Sequence, residues 1–129
     1  MRKGFTFVEL LVSVTIVAVL AAIGAVAYSS TSKRSRDTKR TADIQSIRSG
    51  LEIHRSEVGN YPSLLPGGGG CITSTQIENA GVIYLNPIPT DPINNATYCY
   101  RYTRGGSPYT TYTLTCTLES GAACSYANP

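Results

Sequence analysis

The 129-residue sequence has no tryptophan, one methionine, one histidine and two phenylalanines. Charged residues make up only 15% of it, and no proline precedes Pro62. Each shortage excludes something. His54 is the lone histidine and the cysteines form no CxxC pair, so the usual zinc ligand sets cannot be assembled and no metal site is expected. No nucleophile–base pair, paired carboxylate set or metal cluster stands out, so neither enzyme activity nor a cofactor is expected. Gly67–Gly70 is not followed by Lys-Ser/Thr, which rules out a phosphate-binding loop. The formal net charge of +3 is too small to make nucleic acid a primary partner.

What the chain does have is unevenly spread. Phe5–Tyr28 runs apolar with a single charge, Glu9. As a helix these 24 residues span about 36 Å, enough to cross a hydrocarbon core about 30 Å thick. The lack of proline predicts an unbroken helix, weakened only at Gly24 by about 1 kcal/mol relative to alanine. A secretory signal would carry a shorter apolar stretch with small residues at its end. Ala21-Ala22 and Ala25–Ala27 imitate such an end, but the length of the run and its early carboxylate argue against it. A carboxylate inside a membrane segment costs about 3 kcal/mol, and such residues are usually paired and functional. A cut after Gly4 would give Phe5 an α-ammonium one helical turn before Glu9. That ammonium, or a neighbouring subunit's, would offset the desolvation of the carboxylate. The plainer alternative is a Glu at headgroup level, favoured by the helix dipole. The residues alone leave these two readings equal.

Lys3-Gly4-Phe5-Thr6-Phe7-Val8-Glu9-Leu10-Leu11-Val12 resembles the cleavage and methylation motif of bacterial type IV prepilins and type II secretion pseudopilins. The resemblance implies a leader at 1–4, removed by a membrane aspartyl peptidase that also methylates the new N-terminus. Gly4 and Phe5 would flank the scissile bond, Phe5 would be N-methylated, and Glu9 would neutralise the N-terminus of an adjacent subunit. It also implies a homo-oligomeric filament, an assembly platform protein and a cytoplasmic ATPase. The precursor would span the inner membrane once, with its head outside the cytoplasm, before entering an extracellular or periplasmic filament. The first expectation is a structural subunit of a type IV pilus-like filament. The alternatives are a type II secretion pseudopilin, or a filament subunit that binds DNA or a surface ligand. The missing helix proline and Pro89-Thr90-Asp91-Pro92 favour a pseudopilin, and the cysteines favour a pilin.

Residues 29–58 read as an amphipathic continuation of the helix. Lys33, Arg34, Arg36, Lys39 and Arg40 read as a solvated face. They outnumber Arg2 and Lys3, so the positive-inside rule taken by count would put the C-terminal half in the cytoplasm. The cysteines and the resemblance place it outside, and they are given more weight. Ile44, Ile47, Leu51, His54 and Val58 recur at alternating steps of three and four on one face. Ile53 widens that stripe, and Arg48 and Glu52 take the exposed sides. Gly59 suits a C-terminal cap, and Pro62 cannot continue a helix.

The expected fold is α+β and pilin-like, a long N-terminal helix packed on a small antiparallel sheet carried by residues 59–129. Ser63–Pro92 reads as a connector with a bend at Pro66–Gly70 and a short strand at Val82–Leu85. Strands are expected at Tyr98–Thr103 and Thr110–Leu118, joined by a turn at Arg104–Pro108. Tyr112, Leu114, Cys116 and Leu118 would face the helix stripe. Four cysteines in a small Tyr- and Thr-rich domain read as two disulfides, which need an oxidising compartment. Cys71–Cys99 with Cys116–Cys124 is preferred to Cys99–Cys116 with Cys71–Cys124, without a decisive reason. Major pseudopilins often bind calcium in a nearby loop. Here no carboxylate lies between Asp91 and Glu119, so no calcium site is expected.

Overall fold

A computed structural model describes residues 4–64 and 70–128. The leader residues 1–3 and most of the expected bend, 65–69, lie outside them. The chain forms two compact units, Met1–Arg34 and Ser35–Pro129.

One helix, α1 (Phe7–Val58), runs uninterrupted for 52 residues. Its first part is long and apolar enough to cross a membrane. None of this part is buried, and Leu10, Ile16, Leu20 and Ile23 are all more than half exposed. The hydroxyls within it turn inward onto the helix backbone. Ser13 Oγ donates to the Leu10 carbonyl and Thr15 Oγ1 to that of Val12, both at 2.8 Å, which suits a chain surrounded by hydrocarbon. The helix stops where Gly59 adopts φ 85° and its amide bonds the Arg55 carbonyl at 2.8 Å.

In the second unit, Ile44, Ile47, Leu51 and His54 are buried along one stripe, and Val58 is half-buried. Ile53 does not widen the stripe and is 49% exposed. At about 100° per residue it lies about 200° round the helix from Leu51, on the far side. The solvated-face reading also needs correction. Arg40 is fully buried and Arg36 and Arg48 are half-buried.

Five strands follow: β1 (Ile77–Asn79), β2 (Val82–Leu85), β3 (Arg101–Gly105), β4 (Thr111–Thr117) and β5 (Ala123–Ala127). The expected connector therefore contains a hairpin, β1–β2. It turns through Ala80 and Gly81, both at positive φ, as two-residue hairpin turns require. The hairpin lies against α1 at Gly50, where a Cβ would come within 2.9 Å of Leu85 Cβ. The other sheet has antiparallel order β3-β4-β5. β4 falls within the expected Thr110–Leu118, but β3 sits later than expected because Arg104 and Gly105 pair with Tyr112 and Thr111 and so belong to it. The turn begins at Gly106, at φ 74°. Tyr112, Leu114 and Cys116 face the core, and Leu118 packs at its edge. The strand β5 is not among those expected from the sequence. It pairs with β4 in a register that sets Cys124 opposite Cys116.

Candidate assembly site and the charged lock of the head

The helix start is built by two side chains. Thr6 precedes the first helical residue, and its Oγ1 accepts the Glu9 amide at 3.3 Å. Glu9 reaches back, and its Oε2 accepts the Thr6 amide at 2.9 Å and the Thr6 hydroxyl at 2.8 Å. This reciprocal pair is a capping box. Its signal, Thr-x-x-Glu ahead of an apolar run, is present in the sequence but nested inside the longer stretch Lys3–Val12. Gly4 and Phe5 lie just outside the helix and are exposed, Phe5 by 83%. The structure thus places a reachable peptide bond, a bulky apolar residue and an acceptor-rich carboxylate within one turn.

A second constellation ties the head together. The Arg40 guanidinium grips Asp91 with Nε–Oδ2 at 2.7 Å and Nη2–Oδ1 at 3.1 Å. Its Nη1 donates to Asp37 at 2.7 Å and to Glu119 at 3.0 Å. Glu119 is also held bidentately by Arg36, with both contacts at 2.6 Å. Asp37 accepts the backbone amides of Glu119 at 2.9 Å and Ser120 at 3.1 Å. Asp91 accepts the amides of Ile93 at 2.8 Å and Asn94 at 3.3 Å. The Tyr98 ring lies 4.8 Å from the Arg40 guanidinium. Three carboxylates and two guanidinium groups therefore join α1, the loop after Pro89 and the β4–β5 turn.

The charges respond to one another. Hydrogen bonds from Arg36 hold the Glu119 carboxyl down at about 2, against the opposing effect of burial. Burial works against the Asp37 and Asp91 anions. The amides and the Arg40 guanidinium outweigh it, so both carboxyls sit below their ordinary value. Hydrogen bonding to Asp91 raises the Arg40 guanidinium in turn. Asp91 and Glu119 are far apart in the sequence, with no carboxylate between them. The fold brings both onto one cation, and that cation is Arg40.

Residues 1–25 match the prokaryotic N-terminal methylation motif. Residues 27–123 match the family described as type II secretion system (T2SS), protein G. The chain belongs to the T2SS protein G family. It is a filament subunit of the pilin and pseudopilin class. Searches of curated proteins and of solved structures find no match.

In this protein G-family chain the four cysteines form Cys71–Cys99 and Cys116–Cys124, with Cα separations of 5.6 and 5.1 Å. The first ties Cys71 to the irregular segment just before β3, and the Cys71 backbone also forms a β-bridge with Arg101 of β3. The second clasps β4 to β5. His54 is a core-edge residue. Its Nδ1 lies 3.0 Å from the Asn60 carbonyl and its ring meets Tyr84 edge-on. Asn95 is exposed, and its side chain accepts the amides of Thr97 and Tyr98 at 3.0 and 2.8 Å.

Proposed function

We propose that the chain is a type II secretion pseudopilin, cut between Gly4 and Phe5, methylated on the Phe5 nitrogen and assembled through Glu9. The observation that carries the reading is Glu9 capping the helix start one turn from an exposed Phe5. In the uncut chain the carboxylate is occupied by Thr6. Hydrolysis of the Gly4–Phe5 amide would create an ammonium beside that cap. A carboxylate in hydrocarbon is costly and is usually paired, and an ammonium is its strongest partner. In a bundle of exposed apolar helices, the partner is the amine of an adjacent subunit, which fixes the stagger between helices. The processing partner is a prepilin peptidase and methyltransferase. Assembly uses a platform protein and a cytoplasmic ATPase, which draw the subunit from the inner membrane. No reaction is assigned to the chain itself, and the head serves as structure.

Mass spectrometry of the mature chain tests the cut, which should leave a start at methylated Phe5. A start at Met1, or one after Ala27, contradicts it. Glu9→Ala should be processed normally yet form no filaments. Deleting the gene should block export of folded proteins while leaving surface pili intact; loss of surface pili alone would favour the pilus reading.

A further inference from the structure

The end of the apolar run carries an open depression that turns polar at its far end. Ala25, Val26, Ser29, Ser30 and Lys33 line an open depression of about 520 Å³ on α1. Ala25, Ser29 and Lys33 follow one another at steps of four, as do Val26 and Ser30, so all five share a face. All lie within the first unit. The chemistry changes along the groove, from two small apolar side chains through two hydroxyls to an exposed ammonium.

Its depth is informative. Lys33 follows Phe5 by 28 residues, about 42 Å of helix. A bilayer with its headgroups is about 40–45 Å thick. With Phe5 at one surface, the Lys33 ammonium reaches the headgroup layer of the other. Tyr28, 76% exposed, then falls near the hydrocarbon boundary, where aromatic rings concentrate. Before assembly, residues 4–34 of another copy offer Lys33 one carboxylate, Glu9, which the helix start holds in the unassembled chain.

We propose that this groove docks an anionic phospholipid of the outer leaflet. The phosphate meets the Lys33 ammonium and the Ser29 and Ser30 hydroxyls, and an acyl chain lies along Ala25 and Val26. The docked lipid sets the depth of the subunit before assembly and is shed on extraction. The inference rests on the membrane-anchored reading but not on the cut after Gly4 or on filament formation.

The chain lacks tryptophan, so Tyr28→Trp supplies a single reporter beside the groove. The full chain in neutral detergent micelles is titrated with phosphatidylglycerol, and separately with phosphatidylcholine of the same acyl chains. Phosphatidylglycerol should shift the emission saturably and at lower concentration. Adding Lys33→Gln should weaken that response roughly fivefold, the worth of one interfacial cation, and Lys33→Arg should retain it. Equal response to both lipids, or no effect of Lys33→Gln, overturns the proposal. Competition by millimolar inorganic phosphate overturns it in favour of a free anion. An unchanged lipid response in a Lys33→Gln chain that fails to assemble overturns it in favour of a neighbouring helix. Every lipid readout is made on unassembled protein, so failure here leaves the proposed function standing.

Discussion

Arg40 Nε donates to Asp91 Oδ2 at 2.7 Å, and neither side chain is exposed to solvent. The contact joins helix α1 to a loop 51 residues further along the chain. Taking one partner away strands the other charge in a site closed to water. Arg40→Ala should therefore destabilise the head by about 3–5 kcal/mol. Arg40→Lys should recover only part of this, because an ammonium cannot reproduce the bidentate grip. Urea unfolding of both variants, followed by circular dichroism, checks the order. An Arg40→Ala head as stable as the parent would remove the lock from the account.

Acid should release the same lock. The folded-state carboxyls of Asp37, Asp91 and Glu119 lie below their ordinary values, Glu119 at about 2. Groups shifted this way contribute stability above the ordinary carboxylate range near pH 4, and lose it as pH falls through the folded value. The melting temperature should be nearly flat from neutral pH down to about pH 5, then fall steeply between about pH 4 and 2. A melting temperature that rises over that acid range would contradict the assignment.

Gly50→Ala offers a test in which two effects oppose. Alanine gains about 1 kcal/mol of helix propensity over glycine. Its Cβ would sit 2.9 Å from Leu85 Cβ and 3.1 Å from Ile77 Cδ1. The first of these is fixed close to the β2 backbone and cannot swing aside, and overpacking costs about 1–3 kcal/mol. The clash should win, lowering the melting temperature and exposing the β1–β2 hairpin to faster hydrogen exchange. A stabilised Gly50→Ala chain would show that the hairpin gives way freely.

The disulfides should differ in worth. Cys71 and Cys99 are 28 residues apart, and Cys116 and Cys124 are 8 apart. On loop entropy alone, opening the longer loop should cost about 1 kcal/mol more than opening the shorter. The double substitution Cys71→Ser, Cys99→Ser should therefore unfold at lower denaturant than Cys116→Ser, Cys124→Ser. The reverse order would mean that clasping β4 to β5 matters more than restraining the unfolded chain.

Local patterns make the helix legible, and distance in the chain hides the rest. The steps of three and four are enough to name Ile44, Ile47, Leu51 and His54 as the buried stripe. Phe5 and Glu9 stand out because a charge in an apolar run is costly and therefore informative. Arg40 reads wrongly as solvated because it sits among four other cations, and nothing nearby shows which will be buried. Its partners Asp91 and Glu119 are brought to it by the fold. The strand β5 escapes notice because Ala123–Ala127 is short and offers little apolar alternation; pairing with β4 makes it a strand. Gly50 carries no local signal in the sequence, since Ile77 and Leu85, which pack on it, are brought there from far along the chain by the β1–β2 hairpin.

The lock also decides where the head can be severed. The second unit begins at Ser35, and its first turn carries Arg36 and Asp37. A fragment starting at Ser35 sheds the greasy surface of Phe5–Tyr28 and keeps all five interlocking charges. It should be soluble and folded. A fragment starting at Thr41 lacks both guanidinium groups and strips Asp91 and Glu119 of their counter-ions. Protease trimming between those points would thus convert a durable head into a degradable one.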